Sequence, residues 1–170
     1  MCSSGVGLSR TQRSLAKADY QLSTLARLLV QIEETQAGPE LTQTLAAFAA
    51  GLRYENIPER TRECCKVLLL DAVACALAGY EGEDTPAVVP FAAALGQSHE
   101  STVIGGAPLS LTGAAALNGF LITAISLCDV YRPTATHLQP VVIPPALAIA
   151  ERDDCSGQDL LTPLAAGFEV

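Results

Sequence analysis

The sequence predicts an all-α protein, a helical bundle of about six to seven helices. Three observations favour this fold class. Hydrophobic residues make up 49% of the 170 residues and aromatic residues only 5%, and the apolar set is rich in Ala and Leu, which favour helices. Several segments repeat apolar residues at the three- and four-residue spacing of a helix. Glycines, prolines and short polar turns separate these segments.

The first half of the chain contains four predicted helices. Residues 19–35 form an amphipathic segment, and a second helix begins near Glu40. The third, PERTRECCKVLLLDAVACALAG, opens with Pro58 in its first turn and has Gly79 as its expected C-cap. A polar turn leads to the fourth, TPAVVPFAAALG at 85–96.

The second half supplies the remaining helices. The segment 101–128 has no charged residue and contains a helix buried on all sides. A helix with a proline in its first turn starts at PPALAIAE, residues 144–151. The last helix covers 156–170, where Ser156 and Asp159 have the spacing of a capping box.

The domain organisation is a flexible leader at 1–18 and one helical domain at 19–170. The leader contains Arg10, Arg13, Lys17 and no acid, a composition that weakly resembles a mitochondrial presequence. No apolar signal peptide begins the chain. We therefore expect a cytoplasmic protein, with a mitochondrial location as the alternative.

The uncharged segment raises the question of a membrane span, because residues 109–128 are long enough to cross a bilayer. Polar side chains recur within it, and an acid, a phenol and an arginine follow it instead of a basic anchor. These features favour a helix in the core of a soluble protein, so we expect no membrane association.

Charge and cysteine content limit the other partners. The net charge of −8 disfavours a nucleic-acid partner, although it leaves room for an anionic small-molecule substrate in a locally cationic pocket. No CxxC spacing occurs, so we expect no metal site. The six cysteines are expected to be reduced thiols: Cys2, Cys64, Cys65, Cys75, Cys128 and Cys155.

The densest polar cluster is CDVYRPTATHLQP at 128–140, between two apolar segments. The residue before a proline is pushed out of the α region, so Arg132-Pro133 interrupts any helix here. We expect a loop at the mouth of a pocket, with His137 facing a cavity as a general acid or base. The alternative for His137 is a surface histidine, or one bonded to a backbone carbonyl.

The other polar residues of this loop also have two interpretations each. Arg132 suits a substrate carboxylate, or it pairs with Asp129. Asp129 orients His137, or it caps a helix. Tyr131 and Thr136 offer hydroxyl groups to a substrate, or they serve packing and the turn.

An ordered series of motifs resembles the amino-terminal part of the MmgE/PrpD family. The series begins with LTQTLAAFAAGLRYENIPERTRECCKVLLLDAVACALAG at 41–79, STVIGG at 101–106 and AALNGF at 115–120. It continues with the polar loop, PPALAIAE at 144–151 and SGQDLLTPLAAGFEV at 156–170. The resemblance implies a helical domain followed, in longer members, by a smaller α/β domain. It also implies a homodimer and chemistry without a metal or organic cofactor.

The resemblance implies a lyase, a dehydratase or decarboxylase, that acts on a small di- or tricarboxylate. An isomerase or epimerase on the same scaffold, or a catalytically degenerate helical subunit, is the alternative. His137 and Asp129 match the family's histidine and the second residue of its Asp-Asp pair. His137 and Asp129 are thus the expected catalytic residues, and Arg132, Thr136 and Tyr131 the expected substrate contacts.

Four positions depart from the family's pattern: Thr123, Ser126, Cys128 and Leu138. Cys128 stands at the first Asp of the pair, and Leu138 stands at the usual proline. Because the family's remaining site residues come from chain beyond this segment, we expect the 170 residues alone to be inactive.

Overall fold

The computed structural model describes residues 39–170, so the predicted leader and the helix at 19–35 lie outside the described residues. Residues 45–170 form one compact unit. A single 3-10 turn, Tyr54–Asn56, follows the first helix. The described residues contain six α-helices: α1 (Pro39–Gly51), α2 (Glu59–Tyr80), α3 (Thr85–Ala93), α4 (Leu111–Thr123), α5 (Gln139–Arg152) and α6 (Gly157–Glu169).

The all-α prediction is confirmed. Residues 39–170 contain no strand beyond two isolated bridges, Ser101 with Leu109 and Tyr131 with Thr136. Within the same range, no helix is long and apolar enough to cross a membrane.

Helix α4 is the centre of the bundle, although it is not buried on all sides as predicted, because Thr112 and Ala116 are exposed. It packs against α2, α3 and α5, and its side chains Leu117, Leu121 and Ile122 are at most 1% exposed. Burying each of these side chains contributes about 1.5–3 kcal/mol to folding. The N-terminus of α4 is capped by Ser110, whose Oγ accepts a hydrogen bond from the Gly113 amide at 3.2 Å.

The buried Asn118 of α4 explains why a polar side chain interrupts this apolar helix. Its Oδ1 accepts a hydrogen bond from the Ile104 amide, and its Nδ2 donates to the Thr102 carbonyl, both at 2.9 Å. Both polar groups of the side chain are therefore satisfied inside the core. Asn118 thereby fastens the 101–106 segment to α4.

The prolines of α5 are placed differently from the prediction. The helix begins at Gln139, so Pro140 lies in its first turn while Pro144 and Pro145 lie inside it. Proline lacks an amide hydrogen, so the carbonyls four residues before these two prolines receive no helical bond. One of them, the Pro140 carbonyl, lies where a β-carbon on Gly119 would be only 2.9 Å away. A glycine on α4 therefore lets the start of α5 approach closely.

The prediction that Gly79 caps α2 is wrong, because the helix continues to Tyr80 and Gly79 is buried. Its Cα faces the backbone of α4, where a β-carbon would overlap the Leu121 carbonyl oxygen. The glycine is needed for helix packing and not for termination.

The predicted capping box of α6 is confirmed. The Ser156 Oγ accepts from the Asp159 amide at 3.3 Å, and an Asp159 carboxylate oxygen accepts from the Ser156 amide at 3.0 Å. These bonds satisfy two amides that a helix start otherwise leaves without partners.

Ser156→Ala is expected to lower the free energy of unfolding by about 1 kcal/mol, since alanine offers no acceptor to the first turn. Ser156→Thr retains the acceptor and should lose much less. The Ser156 hydroxyl and amide hold the pKa of Asp159 below its ordinary value. The box therefore stabilises α6 at neutral pH and loses this contribution as the pH falls through the lowered pKa. Urea unfolding at neutral and acidic pH checks both statements; equal stability of the alanine and threonine variants would contradict them.

Candidate active site in the loop between α4 and α5

Residues 124–138 join α4 to α5 without forming a helix, which confirms the predicted loop. A tight turn occupies 131–136, where the Tyr131 amide donates to the Thr136 carbonyl at 2.8 Å. Ala135 adopts a positive φ of 54° within this turn. The turn projects the Arg132-Pro133 pair to the surface, where both residues are exposed.

Asp129 connects the loop to the start of α5. Its two carboxylate oxygens accept hydrogen bonds from the amides of Leu138, at 3.1 Å, and Gln139, at 3.0 Å. A carboxylate at this position satisfies unpaired amides and complements the positive end of the helix dipole. The carboxylate of Asp129 is therefore a helix cap, the second of the two interpretations that the sequence left open.

His137 is oriented by the backbone of Asp129 and not by its carboxylate. The His137 Nδ1 lies 2.5 Å from the Asp129 carbonyl oxygen. A carbonyl oxygen only accepts hydrogen bonds, so Nδ1 carries the hydrogen and the lone pair of the neutral ring resides on Nε2. The ring is exposed and is bonded to a backbone carbonyl, which is the alternative that the sequence left open. The expectation that His137 faces a cavity is not met within residues 39–170.

A cleft of about 370 Å³ opens beside the turn. Tyr131 and Thr136, two of the predicted substrate contacts, lie on its wall. The Thr136 hydroxyl lies 2.8 Å from the Thr134 hydroxyl, which also lines the cleft. The other wall is the end of α6, including Phe168 and Glu169. Hydroxyl groups on one wall and an aromatic ring on the other suit a small polar ligand.

Arg132, the third predicted substrate contact, is exposed at the tip of the turn. Within residues 39–170 it forms no ion pair, so the alternative pairing with Asp129 does not occur. Its guanidinium is available for a carboxylate brought by another molecule.

Cys128 is a buried neighbour of His137. Its side chain is 8% exposed, and its Sγ is 3.4 Å from the His137 Nδ1. Burial raises the pKa of the Cys128 thiol, and the charge of Asp129 raises it further. The fold thus brings Cys128, Asp129 and His137 together, with one ligand atom of each within 4.8 Å of the others. The sequence predicts no metal site because no CxxC spacing occurs, and the spacing of these three residues does not indicate that they lie together.

Gln139 is a site residue that sequence reasoning missed. It is completely buried, and its Nε2 donates to the Leu68 carbonyl at 3.2 Å and to the Asp71 carboxylate at 2.9 Å. Its Oε1 accepts from the Asp129 amide at 3.4 Å. The side chain therefore ties the loop to α2. The available signal was Asp71 itself, the one charge inside the apolar half of α2.

The chain is similar in sequence to known proteins over most of its length. The chain matches the MmgE/PrpD N-terminal domain over residues 43–170. It is 28% identical over 145 residues to a cis-aconitate decarboxylase of Aspergillus terreus, an alignment that covers 82% of this chain. It is 31% identical over 160 residues to the cis-aconitate decarboxylase-like protein oryM of Aspergillus oryzae, over 80% of this chain.

Both alignments cover only 30% of the relative's length, so the chain spans about a third of the curated relatives it matches. No solved structure matches the chain. The domain match includes every described helix from α2 to α6 and the loop that carries Asp129 and His137. The chain belongs to the MmgE/PrpD family.

Proposed function

We propose that this chain contributes the acid–base loop of a lyase that acts on a small di- or tricarboxylate without a cofactor. The observation that carries the proposal is the position of His137 in the loop whose Tyr131 and Thr136 line the cleft. The Nδ1 of His137 donates to the Asp129 carbonyl, which leaves the Nε2 lone pair of the neutral ring to act as the base at an exposed position. Family membership and the decarboxylase relatives supply the reaction class.

In a dehydration, the His137 Nε2 takes a proton from a carbon next to a carboxylate. The electron pair of that C–H bond forms the new double bond, while the C–O bond to the hydroxyl breaks. The leaving hydroxyl takes a proton from the imidazolium or from solvent and departs as water. In a decarboxylation, Nε2 first takes a proton from solvent. The bond to the departing CO₂ then breaks, its electron pair stays with the substrate, and the imidazolium delivers its proton to the carbon that CO₂ has left. Both reactions use one group that holds and returns a proton.

The substrate carboxylates are assigned to Arg132, Thr136 and Tyr131. Arg132 has a guanidinium without a carboxylate partner within residues 39–170, and Thr136 and Tyr131, which each carry a hydroxyl, line the cleft. Glu169 lines the opposite wall and repels an anion, so a cation is needed for binding. Arg132 does not itself line the cleft, but it lies at the tip of the same turn, and we assign this role to it.

An isomerase or epimerase shares the proton abstraction, so the same geometry serves it. The alternative of a catalytically degenerate subunit is supported by Cys128, a buried residue at the position where the family has the first Asp of its pair. We also propose that the protein is a homodimer and that it is located in the cytoplasm or in mitochondria. The former rests on the family resemblance, and the latter on the composition of residues 1–18.

The test uses the longest natural chain that contains residues 39–170, assayed with cis-aconitate and other small di- and tricarboxylates. CO₂ release and double-bond absorbance report the reaction. We expect Arg132→Ala to raise KM about 10- to 100-fold, because it removes one charge-assisted hydrogen bond to a carboxylate. Arg60→Ala on α2 removes the same charge from another exposed position and should leave KM unchanged.

Three outcomes would contradict the proposal. Equal effects of the two arginine variants would reduce the role of Arg132 to general charge. A change of stereocentre without elimination would identify an isomerase. The absence of turnover with every carboxylate tested, in a folded protein, would favour the degenerate subunit.

A further inference from the structure

We propose that Cys128, Asp129 and His137 form a binding site for a thiophilic divalent cation of the Zn²⁺ class. The site follows from the geometry of the loop and is independent of the proposed lyase activity. Nothing in the sequence spacing indicates it, since the ligands are two adjacent residues and a third that the turn at 131–136 brings back beside them.

The distance between the sulfur and the nitrogen fits a tetrahedral metal. Zinc–sulfur bonds of about 2.3 Å and zinc–nitrogen bonds of about 2.0 Å, at a tetrahedral angle, separate the two ligand atoms by about 3.5 Å. The Cys128 Sγ and the His137 Nδ1 are 3.4 Å apart. A cation can therefore bridge them with little movement of the backbone.

Asp129 supplies the third ligand. One of its carboxylate oxygens lies within 4.8 Å of both the sulfur and a His137 ring nitrogen. Each oxygen accepts one amide hydrogen bond from the start of α5, and a carboxylate oxygen has a second lone pair for a metal. Hydrogen bonds of this kind hold a ligating carboxylate in place, as outer partners do in known metal sites.

The ligand types favour zinc over the common hard cations. A thiolate and an imidazole select Zn²⁺ and related ions, whereas Mg²⁺ and Ca²⁺ prefer oxygen ligands throughout. Cys128 is buried but His137 is exposed, so the cation enters from the solvent side. Three protein ligands leave a fourth position for water or an anion.

Binding changes the protonation of two ligands. The Cys128 thiol gives up its proton to solvent and binds as the thiolate. The His137 ring moves its hydrogen to Nε2, so that the Nδ1 lone pair binds the metal and the hydrogen bond to the Asp129 carbonyl is lost. The cation therefore removes the Nε2 lone pair, and with it any base that His137 provides.

The test is titration of the 170-residue chain with Co²⁺ alone, without oxygen and with a reductant that does not bind metal. Cobalt bound to a thiolate gives a near-ultraviolet charge-transfer band, and added Zn²⁺ should displace it. We expect the band to saturate near one equivalent and to disappear in Cys128→Ser. His137→Gln and Asp129→Asn should each weaken Co²⁺ binding at least about tenfold.

The variants and controls are matched to the structure. Asp129→Asn removes the charge and keeps one acceptor oxygen for the amides of Leu138 and Gln139, so it preserves one of the two hydrogen bonds at the start of α5. His137 is exposed, so His137→Gln tests the site even if Cys128→Ser unfolds. Cys75→Ser and Cys155→Ser should retain the band, and far-ultraviolet circular dichroism verifies helix content in every variant.

Several results would overturn the site. These are the absence of a thiolate band in the unchanged chain, a band that survives Cys128→Ser in a folded protein, and loss of the band in Cys75→Ser. Unchanged affinity in His137→Gln or in Asp129→Asn would likewise exclude the three-ligand arrangement.

Discussion

Replacing His137 by alanine in the longest natural chain that contains residues 39–170 should lower kcat about 100-fold or more, because positioned acid–base groups contribute on this scale. KM should change little, since Arg132 and the hydroxyls of the cleft remain. A loss confined to kcat is the signature of an interaction made in the transition state alone. The Asp129 carbonyl that accepts from Nδ1 would gain water as its partner, so the fold should not suffer.

The other histidine of the chain, His99, provides a matched control. His99 is also exposed, and its Nδ1 lies 3.0 Å from the Pro108 carbonyl oxygen. His99→Ala thus removes the same side chain and the same kind of hydrogen bond at a position outside the loop. It should leave kcat unchanged. If His137→Ala and His99→Ala behave alike, His137 is a surface histidine and the acid–base proposal is wrong.

The features that the sequence predicts correctly are those with a local cause. Ser156 and Asp159 lie three residues apart, so the capping box depends only on the first turn of α6. The Arg132-Pro133 break acts through the chain neighbour and ends any helix there. The central position of α4 follows from a segment without charged residues, which has few other stable positions in a helical protein.

The features that the sequence does not predict depend on residues brought together by the fold. Gln139 bonds to Asp71, 68 positions away, and no local pattern pairs them. Asp129 had two chemically reasonable roles, and only the position of α5 decides that its carboxylate is a cap. The start of α5 was misplaced because prolines usually mark a helix start, whereas Asp129 stabilises an earlier one.

Gly79→Ala should destabilise the protein by about 3 kcal/mol, at the upper end of the usual cost of overpacking a core. A β-carbon at Gly79 would overlap the Leu121 carbonyl oxygen and lie 3.1 Å from the Ala124 Cβ. Both neighbours are backbone or rigid atoms, so neither can rotate away. Helices α2 and α4 must move apart, although alanine by itself favours a helix by up to about 1 kcal/mol.

Gly157→Ala is the control, because this glycine is also a helix residue, the first of α6, but has nothing within 4 Å of an added β-carbon. It should change stability by less than about 1 kcal/mol, in the stabilising direction. Urea unfolding of both variants measures the difference, and equal stabilities would show that α2 and α4 tolerate separation.

The consequence of Gly79→Ala extends to the site. Leu121 and Ala124 lead directly into the loop, and α2 also contacts the loop through Asp71 and Gln139. Separation of α2 from α4 therefore displaces one attachment of the loop relative to the other, which disturbs the hydrogen bond between the Gln139 side chain and the Asp129 amide. We expect any Gly79→Ala protein that remains folded to bind Co²⁺ more weakly, although none of the metal ligands has been changed. Unaltered Co²⁺ affinity in a destabilised variant would show that the loop holds its geometry without α2.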